Sequence, residues 1–288
     1  MMDYIKKTAV LLTAVMATWS FFLPGSHGSR VDWRINKTMH LQETPIDFTI
    51  SRSGKYTFVL TDAGEIMIYD AVGAVSGKIA VGRHIDKILA GPNDNSLLVC
   101  SRGNKTTEVI SFVIEQQINT VGSPFKGRQE APVEVVVFSD FQCPHCARMA
   151  DLLEEVYAMN KDHIKIVYKN FPLTSIHKQS VIAARAALAA MESGKFWEFH
   201  DRLYEQFDTI SEKSILKIAV DLGFDKNDFQ EKMKAPRITL MIQKDIQDAR
   251  KAEVKGIPTV FINGKLQQKK TFADMQRHID RELTRQGQ

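Results

Sequence analysis

The 288-residue sequence is short of cysteine. It holds three, whereas a small exported scaffold stapled by disulfides carries more, in even number. A second Cys-x-x-Cys pair is missing, and with it the four-ligand set of a structural zinc site. No metal and no cofactor is therefore expected. Long apolar runs are absent beyond the N-terminus: no later stretch approaches the about 20 apolar residues that span a bilayer. Blocks of one charge are absent too. Lys and Arg number 38 against 34 Asp and Glu, for a net charge of +4 and a pI near 8.8. The basic residues are dispersed, so a nucleic-acid partner is not expected.

What remains is an ordinary globular composition, 44% hydrophobic and 25% charged. Its length suits one large or two ordinary domains. The first residues carry export features. Lys6 and Lys7 give a positive start, Thr8 to Leu23 are uncharged and mostly apolar, and Pro24-Gly25 breaks the run. Ser26 and Gly28 frame a cleavage site, so residues 1–28 read as a signal peptide, with an uncleaved membrane anchor as the alternative. In both cases the rest of the chain is expected to be periplasmic or otherwise exported.

Residues 34–122 read as a small all-β domain. Tyr56–Leu60, Glu65–Tyr69, Leu97–Cys100 and Val109–Ile114 are strand-like, separated by turn signals such as Ser53-Gly54 and Arg102-Gly-Asn104. The region repeats weakly: Ile79-Ala-Val-Gly82 is echoed by Ile118-Asn-Thr-Val-Gly122, and Ser51–Gly54 by Gly91–Asp94. A period near 40 with short strands is the rhythm of β-propeller blades. Two blades do not close a ring. The open sheet then invites pairing with another chain, either a second copy in a homodimer or a client. Cys100 ends a strand and reads as a small buried residue, with an intersubunit disulfide as the alternative. Residues 123–132, polar and punctuated by Gly and Pro, read as a linker.

Residues 133–288 change pattern. Val133–Phe138 is an apolar run that suits a buried strand. Cys143–Asn160 follows helical spacing, and Ile164–Tyr168 is a second strand, which together suggest a βαβ unit. A helical stretch fills 174–254. Thr259–Ile262 then reads as a strand, and Phe272–Arg285 as a helix capped by Thr271.

The run Cys143-Pro144-His145-Cys146 carries the chemistry. Two cysteines at i and i+3 bridge only if the first sits at a helix start. The strand–loop–helix order puts Cys143 there. The positive end of the helix stabilises a thiolate, worth about 0.3–1 kcal/mol and up to about 2 when partly buried. A protonated His145 adds to it. Cys143 is then the exchanging sulfur and Cys146 the resolving one, and a stabilised reduced form makes the pair a better oxidant. Haem attachment is excluded, because Ala147 stands where it needs histidine. A plain structural disulfide is the remaining rival. His163, His177 and His200 read as surface or packing residues. Phe196, Trp197 and Phe199 read as packing for the helical region, and a client groove could share them.

These residues bear a resemblance. Val133–Cys146, with Phe141-Gln-Cys-Pro-His-Cys146, resembles the DsbA-like thiol–disulfide oxidoreductases. So do Asn170-Phe-Pro-Leu173, the alanine-rich Ala183–Ala190, Gly194–His200 and Gly256-Ile-Pro-Thr259. The resemblance covers about residues 131–288. It implies an α/β thioredoxin fold with a helical insertion. It implies that Pro258 is cis and lies against the redox pair, and that Ile257 offers its backbone to a client. It also implies exported protein clients and a membrane redox partner. There is one departure. The family's buried acid, six residues before the first cysteine, is here Val137, and Glu134 and Asp140 do not share its place.

Two functions remain. One is a thiol–disulfide oxidoreductase, with oxidase favoured by Pro144-His145 and isomerase or reductase as the alternative. The other is a chaperone-like module that holds clients, with the cysteines incidental.

Overall fold

The first half of the chain is a set of antiparallel hairpins. In the computed structural model, which describes residues 32–286, β1 (Pro45–Ile50), β2 (Tyr56–Thr61), β3 (Glu65–Asp70) and β4 (Val75–Ala80) form a four-stranded meander. β5 (Lys87–Ala90), β6 (Ser96–Ser101) and β7 (Thr106–Ser111) form a three-stranded one. The export segment at residues 1–28 lies outside the described residues. Residues from Glu43 onward form one compact unit.

Alternation along the strands gives these sheets a common core. Phe58, Leu60, Ile66 and Ile68 of the first sheet and Ile88, Leu97 and Val99 of the second are buried together. Three hydrogen bonds then tie the sheets at a constant spacing. Asp47 accepts from the Ile88 amide at 2.9 Å, Thr49 from the Ala90 amide at 3.2 Å, and Asp94 from the Ser53 amide at 3.0 Å. Each pair is 41 residues apart. The two sheets are thus held together by bonds at one repeating separation. The echo at Ile118–Gly122 forms no strand.

The second half is an α/β layer structure. β8 (Phe125–Gly127), β9 (Val133–Ser139), β10 (Ile164–Asn170), β11 (Thr259–Ile262) and β12 (Lys265–Leu266) make one sheet in the order β12-β11-β9-β10-β8. β9 and β10 are parallel, and the other pairings are antiparallel. The apolar run of β9 is explained by burial on both faces. Val133, Val135 and Val137 point into the larger core, and Val136 and Phe138 into the smaller. One departure concerns the segment 123–132, expected as a linker. It contributes β8, whose three residues pair with Lys165–Val167. Gly and Pro mark turns in a sequence but do not reveal a short edge strand held by its neighbour.

α1 (Pro144–Asn160) follows β9. α2 (Ser180–Met191), α3 (Phe196–Glu205), α4 (Glu212–Asp221), α5 (Lys226–Lys234) and α6 (Pro236–Lys251) form the insertion between β10 and β11. α7 (Phe272–Gln286) closes the chain's described part, and Thr271 caps it by accepting from the Asp274 amide at 3.2 Å. The expected thioredoxin fold with a helical insertion and a preceding all-β region is what the chain adopts.

Lys169 on β10 pins these parts together. It is fully buried, 2.6 Å from Asp245 and 2.9 Å from Asp248 of α6. It also donates to the Asn119 carbonyl at 2.9 Å and to Ser123 at 3.3 Å. A buried ammonium survives only with such partners. Its bonds hold the chain where it leaves the β region.

Candidate active site

The carboxyl end of β9 runs through Ser139-Asp140-Phe141-Gln142 into α1. Cys143 is the N-cap residue, in extended conformation, and Pro144 occupies the first helical turn, where its missing N–H costs nothing. The Cys143 carbonyl accepts from the Cys146 amide at 3.0 Å and the Ala147 amide at 3.1 Å, closing that turn. Both cysteines are free thiols in this structure. Cys143 is 6% exposed and Cys146 1%. Pro144 and His145 are exposed beside them, and Arg148 donates to His145 Nδ1 at 2.8 Å.

Burial pushes the Cys146 thiol far above its ordinary value of 9.0. The Ser139 hydroxyl and the Asp140 backbone oppose this, while Cys143 adds to it. Ser139 Oγ in turn shares a 2.7 Å hydrogen bond with the Tyr204 hydroxyl, which lies 3.0 Å from that of Tyr168. Burial raises both phenols well above their ordinary range, so they stay protonated. Val137, at the place of the acid that the resemblance implies, lines a cavity of about 390 Å³ with Ser139, Cys146, Tyr168, His200 and Tyr204. The Ser139 hydroxyl acts on the buried thiol there, and Asp151, Glu154, Asp201 and Glu205 line the same cavity.

Asp140 is buried but turned away. Its carboxylate accepts from the Gln142 amide and the Leu173 amide, each at 2.8 Å, and sits 2.9 Å from His177 Nδ1. It ties the cysteine loop to the start of the insertion. His200, read as a surface or packing residue, also has a carboxylate partner, 2.7 Å away at Asp201. His200 is also packed edge-on against Tyr204 and Tyr168, with centroids at 4.8 and 5.2 Å. The expected burial of Cys100 is not met. It is half-buried, with Sγ 3.5 Å from Thr107 Oγ1.

The Ile257–Pro258 peptide bond is cis. Ile257 and Pro258 line a groove of about 460 Å³ together with His145, Arg148 and Met149 of α1. The Pro258 carbonyl accepts from Lys270 at 2.6 Å. Sequence reasoning missed Ser139, Tyr168 and Tyr204. The one available signal was the spacing of His200 and Tyr204, which puts both on one face of an amphipathic helix. Among the described residues, no cluster of His, Cys, Asp or Glu could hold a metal, and no helix is long and apolar enough to cross a membrane.

Comparison with known proteins adds the following. A family model described as thioredoxin matches residues 119–281. A Na(+)/H(+) antiporter, NhaA 3 of Salinispora tropica, is 36% identical over 140 residues, which are 49% of this chain and only 21% of the antiporter. A probable disulfide bond formation protein D of Bacillus anthracis is 26% identical over 235 residues, 78% of this chain and 99% of that protein. The crystal structure of a thioredoxin-like oxidoreductase from Silicibacter pomeroyi superposes with a TM-score of 0.51 at 30% identity, covering 56% of this chain and 92% of that one.

Proposed function

The chain belongs to the thioredoxin family, whose match spans more than half of its length, and from that premise we propose that it is a thiol–disulfide oxidoreductase acting on exported proteins through Cys143 and Cys146. The observation that carries this reading is the placement of the pair. Cys143 stands at the start of α1 and Cys146 is buried one turn behind it. The name of the Bacillus anthracis relative points to the same chemistry.

The reaction starts from the Cys143–Cys146 disulfide. A client thiolate attacks Cys143 Sγ, the enzyme disulfide breaks, and Cys146 leaves as a thiolate that takes up a proton. The Ser139 hydroxyl is placed to hydrogen-bond that leaving sulfur. A second client thiol loses its proton and attacks the client sulfur of the mixed disulfide. The client disulfide forms and Cys143 leaves as a thiolate. Two electrons pass from client to enzyme, and a membrane-borne disulfide donor is the class of partner that would remove them. Ile257 and Pro258 form the wall against which the client lies. We favour this oxidising direction because Pro144-His145 stands between the cysteines, the form that the resemblance to DsbA-like oxidoreductases rests on.

Replacing Cys143 by Ser tests the reading. Oxidation of dithiol peptides and reduction of insulin both fall to the uncatalysed level, whereas in Cys146→Ser the Cys143 thiolate still attacks a client disulfide, displaces one client thiolate and accumulates a mixed disulfide visible by mass spectrometry. Survival of both activities in Cys143→Ser would overturn the proposal in favour of a client-holding module. The potential of the couple sets the direction: a value near roughly −120 mV marks an oxidase, and one near roughly −270 mV a reductase.

A further inference from the structure

The groove beside the redox pair does not stop at Pro258. A second groove, of about 610 Å³, begins at the same Ile257, Pro258 and Lys270 and runs to Lys55, Tyr56 and Ile114 of the β region. The two share these three residues in their linings. The β region is fastened where this requires. Gln116 donates its amide to the Gly264 carbonyl at 2.7 Å, and Lys265 lies 3.1 Å from Glu115. Gly264 is so close that a Cβ there would stand 2.5 Å from the Gln116 carbonyl oxygen. Lys55 bridges to Glu253, in the loop before Pro258, at 2.5 Å.

The charge along this path has one sign. Arg148, Lys255 and Lys270 line it, and none of them pairs with a carboxylate among the described residues. Glu253 is the one acid in either lining, and Lys55 neutralises it. At the junction the Ile257 backbone makes no hydrogen bond among the described residues. It can pair with an extended chain.

We propose that the β region is the far wall of the client groove, and that its occupant is an extended segment of an unfolded client whose residues flanking the reacting cysteine are acidic. The inference rests on the proposed exchange activity and names the client class of that same site. Cationic walls raise the encounter rate of acidic partners and lose that advantage as salt screens them, with a Debye length of about 10 Å at 0.1 M.

The test uses the full chain and three cysteine peptides, with Asp and Glu, with Ser, or with Lys beside the cysteine. Dithiothreitol, too small to fill the groove, reports the redox couple alone. The expected result is a rate for the acidic peptide at least about 10-fold above that for the basic one at low salt, collapsing to within about 2-fold at about 0.5 M salt. A photo-crosslinking residue is then stepped along the acidic peptide, whose cysteine is supplied as a disulfide with thionitrobenzoate, so that Cys143 of Cys146→Ser displaces thionitrobenzoate and holds the peptide as a mixed disulfide. Adducts are expected on residues 55–56 and 113–116. Equal rates for the three peptides overturn the proposal, and so does an acidic preference with no adduct on the β region. If dithiothreitol is not oxidised and no mixed disulfide forms, it is the exchange activity itself that fails.

Discussion

The two halves of the molecule bury their strands differently. β9 sits mid-sheet with helices on both faces, and its side chains from Val133 to Phe138 are buried apart from Glu134. β1 is covered on one side only: Phe48 is 68% exposed, and Ile46 and Ile50 about half exposed. The thioredoxin half can therefore hold charge inside, as at Lys169, because layers on both sides supply partners. The β half places its polar bonds between sheets, where a carboxylate and a hydroxyl reach across to amides of the next repeat. The stability of the first kind concentrates in a few buried groups, and that of the second is spread over many small ones.

Substitution breaks or sharpens this contrast. Lys169→Met has the largest expected effect. It strands Asp245 and Asp248 in the interior and releases Asn119 and Ser123, at a cost of about 3–5 kcal/mol. Urea unfolding followed by circular dichroism measures it, and a cost below about 1 kcal/mol would remove the contrast.

His200→Phe comes next. Burial holds the His200 imidazole below its ordinary 6.5, so the unfolded chain binds the proton more tightly than the folded one. Stability is full above 6.5 and declines as pH falls below it, by up to about 1.4 kcal/mol per pH unit. Phenylalanine fits the same aromatic surroundings and should flatten that slope between about pH 7 and 5, seen in melting midpoints across the range. His278, also lowered first by burial, keeps a share of it. An unchanged slope would mean that His200 is not held neutral by the fold.

Asp47→Ala is the smallest of the three. It leaves the Ile88 amide without its acceptor and should cost about 1 kcal/mol. A loss as large as that of Lys169→Met would mean that the β half, too, depends on single groups.

The contrast also explains what could be read from the residues. The apolar run of β9 and the helix start at Cys143 belong to local sequence and were legible, whereas the cis bond at Pro258 came only with the family resemblance. The hydroxyl network behind Cys146 was not. Ser139 and Tyr204 are 65 residues apart and meet only once the insertion docks. Asp140 was visible beside the motif, but its partners, Leu173 and His177, lie in a connection whose path no periodicity sets. In the β region the period was visible because the repeats still share turns. The three-residue β8 was not, because its pairing depends on β10 and not on its own composition.

The even spacing of the bonds between the first two sheets bears on how such a region can change in length. Asp47, Thr49 and Ser53 each engage a residue 41 positions on. A gene segment of that length, copied in place, would encode another sheet with its fasteners already aligned. A stack built this way has no intrinsic stopping point. Such a copy would lengthen the β half and leave Cys143, Cys146 and the groove at Pro258 as they are.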